Sequence, residues 1–242
     1  MVFGIVGAGA ITRMVAPSLA KHGGIRVAAV ASRNALAARD VAASLGGAAV
    51  VDDFPALMRR SDVEAVYIAT PPHVHRSMIL EALAAGKHVI CEKPFVMDIG
   101  EFEEVMEAMR QRPWLKVSSC SSRFQVCPPV REARDFISGG RLGKILRVRL
   151  DNAMPPIPLS ALPAWKRTLE TSGGGIAMDW GVYDLDWLRF LLGDAFEPVE
   201  IFARTDCWGH EEAALETGFC AEILCLREGR FQMMVARIDR LG

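Results

Sequence analysis

Val2-Phe-Gly-Ile-Val-Gly7-Ala-Gly9-Ala-Ile-Thr12 decides the fold. A short strand-type run enters two glycines and leaves as a helix-type segment. Gly7 permits the tight turn. Gly9 lets an anion approach the backbone, where helix N-terminal N–H groups and the macrodipole favour negative charge. With Ala10 and Ile11 opening the helix, this is a candidate cradle for a dinucleotide pyrophosphate. Thr12 stands where a third glycine is usual, so a purely structural strand-to-helix turn is the competing reading.

The pattern repeats outward from there. Strand-type runs at 26–30, 65–69, 88–91 and 115–118, with a weaker one at 48–51, alternate with helix-type segments at 10–22, 35–45, 54–60, 74–85 and 99–110. Such alternation predicts a parallel sheet with helices on both faces. After about residue 119 the order changes. A helix at 130–138 stops at Gly139-Gly140, and a strand at 145–150 follows. A proline-rich loop (Pro155, Pro156, Pro158, Pro163) leads to a helix over 176–192. Strand-type runs at 199–205, 218–226 and 231–238 close the chain, the last two joined by a hairpin turn at Arg227–Arg230. The predicted division is 1–120 and 121–242, an α/β unit and then a mixed or antiparallel sheet with one covered face.

Three loops of the first half carry candidate chemistry. The second strand ends in Ser32-Arg33, with no acidic residue to bind a ribose 2′-hydroxyl. A hydroxyl and a guanidinium suit a 2′-phosphate, which favours NADP; Arg33 stacking on adenine would leave NAD equally acceptable. The fourth strand ends in Thr70-Pro71-Pro72-His73-Val-His75, a stiff, extended segment without N–H donors at its prolines. His75 is a candidate donor to cofactor or substrate, or a helix cap. The fifth strand delivers Glu92-Lys93-Pro94. Pro94 biases Lys93 towards an extended backbone and aims its amine one way. Elsewhere Glu-Lys-Pro would be an ordinary surface loop; at this point of the pattern Lys93 is a candidate for chemistry.

In the second half, Ser172-Gly173-Gly174-Gly175 precedes Asp179, Tyr183 and Asp186. On an α-helix these three share one face. Bare glycines beside a phenol and a carboxylate read as a substrate-facing wall, or as a core helix whose acids are met by arginines.

The bulk numbers narrow the classes. The 242 residues hold 28 Lys+Arg and 29 Asp+Glu, so no basic surplus points to nucleic acid or to an anionic membrane. No apolar run is long enough to span a bilayer. No secretory signal is legible at the N-terminus. The six cysteines lack a CxxC spacing and read as reduced, mostly buried thiols of a cytoplasmic protein, with no metal site expected.

Together the motifs resemble the Gfo/Idh/MocA oxidoreductase family. The resemblance rests on Gly7-Ala-Gly9, Ala69-Thr70-Pro71-Pro72, Ala85-Gly86-Lys87-His88-Val89, Cys91-Glu92-Lys93-Pro94, Arg123-Phe124, Gly139–Gly143, Trp165-Lys166 and Gly173–Asp186. It implies an N-terminal Rossmann domain, doubly wound on a parallel sheet, then an α+β domain with a large open mixed sheet that serves substrate binding and homo-oligomerisation. The chain is shorter than such proteins usually are, so the sheet is expected to be incomplete at its C-terminal end. The resemblance further implies an NAD(P)-dependent oxidoreductase acting on a hydroxyl or carbonyl of a sugar, cyclitol or diol. Lys93 is then catalytic, and Arg123 and Trp165 line the substrate site. Asp179 takes the family's aspartate position, orienting substrate or holding Lys93 charged. Tyr183 stands where a histidine is common, which favours glucose–fructose oxidoreductase and dihydrodiol dehydrogenase types over inositol dehydrogenases. Tyr183 would exchange the proton, its high intrinsic pKa lowered by a nearby ammonium. A non-catalytic NADP sensor and an NAD-dependent glycosidase are the alternatives on the same fold.

Overall fold

The computed structural model describes residues 1–145, 147–154, 157–207, 215–227 and 230–240. The chain divides into two compact units, Met1–Cys120 and Ser121–Gly242.

In the first unit the strands are β1 (Val2–Val6), β2 (Arg26–Ala31), β3 (Ala49–Val51), β4 (Ala65–Ile68), β5 (His88–Cys91) and β6 (Val117–Ser119). They form one sheet in the order β3-β2-β1-β4-β5-β6, every pair parallel. The helices are α1 (Ala10–Lys21), α2 (Ala35–Ser44), α3 (Phe54–Met58), α4 (His75–Ala84) and α5 (Ile99–Arg110). Side chains alternate along each strand, so the sheet serves two cores. Phe3 and Ile5 of β1 pack with Ala16 of α1 and Ala38, Val41 and Ala42 of α2. Val6 joins Leu57 of α3, Ile79 and Leu83 of α4 and Val105 of α5 in the other. Gly4 sits inside β1 because Leu57 lies against it: a Cβ there would stand 2.7 Å from the Leu57 Cδ1. Asn34, Asp53 and Asp98 cap α2, α3 and α5 through side-chain oxygens that accept backbone N–H groups.

The order reverses between the neighbouring strands β1 and β4: the chain continues from β1 to β2 and β3 on one side and from β4 to β5 and β6 on the other. This is the switch point at which open α/β sheets bind ligands beyond the carboxyl ends of their strands. Gly7 follows β1, Thr70 follows β4 and Lys93 follows β5, three neighbouring strand ends.

The second unit holds α6 (Pro128–Ser138), β7 (Arg147–Met154), α7 (Leu169–Ser172), α8 (Val182–Leu192), β8 (Pro198–Asp206), β9 (Gly218–Arg227) and β10 (Arg230–Arg240). The sheet order is β7-β10-β9-β8, with β10 parallel to β7 and the other pairs antiparallel. It is therefore mixed. Leu188 and Leu192 of α8 pack on Ile223 and Cys225 of β9 and on Val148 and Leu150 of β7. The edge strand β8 leaves Val199, Ile201 and Phe202 exposed.

Several local expectations shift. β7 runs on to Met154 because pairing with β10 carries it through Asp151 and Asn152, residues that read locally as loop. The proline-rich loop contains two 3-10 turns, Leu159–Ala161 and Ala164–Lys166, each behind an extended proline. Pro155 and Pro156 lie outside the described residues, as do positions 228 and 229 of the expected hairpin turn, although Arg230 does pair with Arg227. The helix expected from 176 opens as a π-helical turn, Ala177–Gly181, before α8. The cysteines are free, but only Cys91 and Cys225 are buried; the other four are half-buried. Among the described residues no helix is long and apolar enough to cross a membrane, and no group of three or more His, Cys, Asp or Glu could hold a metal ion.

Candidate active site

The glycine turn is built as a cradle. Gly7 has φ +97°, and a Cβ there would lie 2.3 Å from the Ala69 carbonyl oxygen, so the ends of β1 and β4 meet only because this residue lacks a side chain. Gly9 has open space where a Cβ would be. α1 begins beyond it with no acidic residue in its first turn. Thr12, in the place of a third glycine, is fully buried and its hydroxyl donates to the Gly7 carbonyl at 2.8 Å. The substitution locks the turn. Bare backbone at a helix N-terminus, with room above Gly9, fits a pyrophosphate. Ala10 and Ile11 form the helix's first turn.

At the end of β2 the Ser32 hydroxyl accepts from the Asn34 backbone N–H at 3.2 Å, while Arg33 is exposed. Beyond β4 the chain is extended at Pro71 and then tightens into a 3-10 turn, Pro72–Val74, so the segment is stiff without being extended throughout. Pro72 is buried.

His75 departs from expectation. Its ring has 0% exposure, with Nδ1 2.9 Å from the Pro94 carbonyl and Nε2 2.8 Å from the Thr70 carbonyl. A ring so enclosed is not available to cofactor or substrate. Burial pushes its pKa below the ordinary histidine value, against those two hydrogen bonds. The sequence signal was the spacing: His75 precedes Ile79 by four residues, and in α4 both lie on the buried face.

The loop after β5 is braced from below. The Tyr67 phenol donates to Glu92 Oε1 at 2.7 Å, and the Lys93 backbone N–H donates to Glu92 Oε2 at 3.3 Å. Burial and the Glu92 carboxylate push the Tyr67 phenol upward, so it stays a donor. Glu92 therefore holds the chain at Lys93 through its side chain. Pro94 is buried, the Lys93–Pro94 peptide bond is cis, and Lys93 is half-buried. Tyr67 was not foreseen; its position on a buried strand reads as core.

In the second unit the space at Gly174 and Gly175 is taken by the protein itself. Glu216 Oε2 accepts from the Gly175 N–H at 2.7 Å, Oε1 from Ala177 N–H at 3.1 Å, and the Glu216 carbonyl from Ile176 N–H at 2.9 Å. A Cβ on Gly175 would stand 2.0 Å from that carbonyl oxygen. The close approach expected of these glycines is thus to Glu216, which the sequence did not mark. Asp179 lies in the π-helical turn and accepts from Lys166 Nζ at 2.6 Å. That ammonium also lies 5.3 Å from the Trp165 ring centre. A π-helical turn interrupts regular helical spacing and is a frequent feature of functional sites. Tyr183 is buried, its ring edge-on to Phe124 at 5.2 Å and to Trp180 at 5.6 Å. Asp186 accepts from the Gln125 side-chain amide at 2.9 Å, a structural contact. Arg123 falls in a 3-10 segment, Cys120–Val126, and its side chain lies outside the described residues.

The comparisons agree with this architecture. Residues 1–117 match the model of the oxidoreductase family with an NAD-binding Rossmann fold, GFO_IDH_MocA, and residues 130–223 match the GFO/IDH/MocA C-terminal domain. The chain is 31% identical over 218 residues to a 1,5-anhydro-D-fructose reductase of Ensifer adhaerens, covering 89% of this chain and 63% of that protein. It is 30% identical over 201 residues to an inositol 2-dehydrogenase of Rhizobium meliloti, covering 83% and 57%. A 3-ketoreductase from Actinomadura kijaniata, solved with NADP and TDP-benzene, superposes with TM-score 0.82 at 27% identity over 99% of this chain and 70% of that one. The chain thus spans less than two thirds of the length of the curated relatives it matches. With a nucleotide-type glycine turn, a braced lysine after β5 and both family domains in sequence, the chain belongs to the Gfo/Idh/MocA family of oxidoreductases.

Proposed function

We propose that the protein transfers a hydride between a nicotinamide dinucleotide and a CH–OH or carbonyl carbon of a sugar, cyclitol or diol. The observation that carries this is the bracing of Lys93: Tyr67 and Glu92 fix the backbone of an amine set beyond a strand end, two strands from the glycine turn. A surface lysine has no need of such support. The relatives named as reductases and dehydrogenases of sugar-type compounds support the substrate class.

The nicotinamide, when bound, supplies the hydride chemistry. Gly7, Gly9, Ala10 and Ile11 would receive its pyrophosphate, and Ser32 and Arg33 the ribose beyond. An exposed guanidinium in place of an acidic residue favours NADP over NAD. Thr70, Pro71, Pro72 and Glu92–Pro94 would border the nicotinamide end. Lys93 would donate to the substrate oxygen and stabilise negative charge developing there. Tyr183 would exchange the proton with that oxygen, and the Phe124 and Trp180 rings fix the plane of its phenol. Asp179, paired with Lys166, would orient substrate hydroxyls, and Trp165 and Arg123 would add to the substrate wall. We place the activity in a cytoplasmic homo-oligomer joined through the four-stranded sheet, whose edge strand β8 is exposed.

The test is a cofactor-oxidation and cofactor-reduction screen over aldoses, ketoses, cyclitols and vicinal diols with both NAD(H) and NADP(H). Turnover with any of them supports the reading. Tight dinucleotide binding without turnover identifies a sensor, and glycoside cleavage without net cofactor reduction a glycosidase. Sedimentation of the chain tests the oligomer.

A further inference from the structure

We propose that His75 is a positioning residue that fixes the aim of Lys93 by joining the loop after β4 to the loop after β5. The inference rests on the reading of Lys93 given above. His75 starts α4, immediately after the 3-10 turn Pro72–Val74. Its fully buried ring stands between two backbone carbonyls from different loops, Thr70 at 2.8 Å and Pro94 at 2.9 Å. These are the residues directly after Ala69 and directly after Lys93. Pro94 has no N–H of its own, so its carbonyl is the polar backbone group through which this residue can be held. Glu92 takes the Lys93 N–H on one side. The ring takes the carbonyl of the next residue on the other. Lys93 is thereby fixed at both its neighbours.

A neutral imidazole has one N–H and a protonated ring has two. In the proposed arrangement the ring is the Nδ1–H tautomer, whose single N–H donates to the Pro94 carbonyl, the bond that governs the lysine loop. An asparagine places its amide near the Nδ1 position, a glutamine near Nε2, and a leucine fills the volume with no donor.

The test compares His75→Asn, His75→Gln and His75→Leu in the full chain. Amide hydrogen exchange over residues 92–96 is expected to stay near wild type in the asparagine variant and to rise about tenfold or more in the other two. NADPH affinity, read by its fluorescence, stays within about threefold in all three, because the glycine turn is untouched. In the panel above, kcat falls about 10- to 100-fold in the leucine and glutamine variants, the cost of a misplaced catalytic group. Asparagine restores most of it. Unchanged exchange over 92–96 in a folded leucine variant overturns the proposal. So does equal behaviour of asparagine and glutamine, which remains readable if leucine does not fold. Lys93→Met, measured alongside, separates the two ideas: if it keeps its turnover the lysine role falls, while the exchange data still decide whether His75 holds the loop.

Discussion

At the scale of single residues, chemistry is decided by what each side chain is held against. Lys93→Met removes the amine but leaves the glycine turn intact. It is expected to keep dinucleotide affinity within about threefold while losing on the order of 10²–10⁴ in kcat; steady-state kinetics beside a fluorescence titration check this. Tyr183→Phe keeps the edge-on contacts with Phe124 and Trp180 and removes only the hydroxyl. Its folded stability is expected to hold within about 1 kcal/mol while the basic limb of the pH–rate profile moves or disappears. An unchanged profile would take tyrosine out of the proton path. Arg33 is exposed beside Ser32, so Arg33→Ala costs little stability. It should weaken NADP by about 10-fold or more with NAD unaffected, since only the former carries the phosphate. Gly7 and Gly9 were legible as a tight strand-to-helix turn, and Lys93 as a candidate at a strand end, because their neighbours in sequence announce those positions. His75 was legible as a residue of interest and misread in its role, because its two acceptors lie five residues before it and nineteen after.

At the scale of elements, the approach to α8 is the most tightly fitted part of the second unit. Gly175→Ala would drive a methyl into the Glu216 carbonyl, 2.0 Å from the ideal Cβ. The turn must open, Glu216 must release the N–H groups it holds, and Asp179 moves with it. A loss of about 3 kcal/mol or more is expected by denaturant unfolding, with turnover falling further than stability alone explains. On the same helix, Asp184 is buried, hydrogen-bonded by Asn152, and its Oδ2 has no partner among the described residues. Burial raises its pKa from 3.8 to about 6. The folded state therefore holds the proton more tightly than the unfolded chain does. The sign follows: the group costs nothing well below 3.8, becomes destabilising as pH rises from there to about 6, and costs a constant amount above that. Asp184→Asn should come close to the wild type near pH 4 and melt about 6–12 °C higher at pH 8, the shift that about 3 kcal/mol, the linkage of a rise from 3.8 to about 6, produces in a chain of this size. A stabilisation equal at both pH values would contradict the assignment. Element types and order were largely visible from periodicity. The π-helical turn at Ala177–Gly181 was not, because a change of phase within five residues is too short to read from side-chain period.

At the scale of the molecule, two units of different sheet type share one chain. A ligand that binds only the folded first unit stabilises it by mass action, about 2.7 kcal/mol at a hundred times its dissociation constant. NADPH is therefore expected to raise the thermal midpoint and to slow amide exchange at residues 7–13, 32–34, 70–75 and 92–95. Protection absent from all four loops would count against a dinucleotide at the switch point. The sequence by itself determined the alternating first unit, the glycine turn, the Glu92-Lys93-Pro94 motif and the family, since turn chemistry and side-chain period act over a few neighbouring residues and can be read there. Only the tertiary structure decided that His75 serves the Pro94 carbonyl, that Glu216 fills the glycine approach, that Lys166 pairs with Asp179 and that Tyr67 supports Glu92. Each of those contacts joins segments that local forces cannot distinguish from other pairings; the strand order and the packing of helices on the sheets bring them within hydrogen-bonding distance.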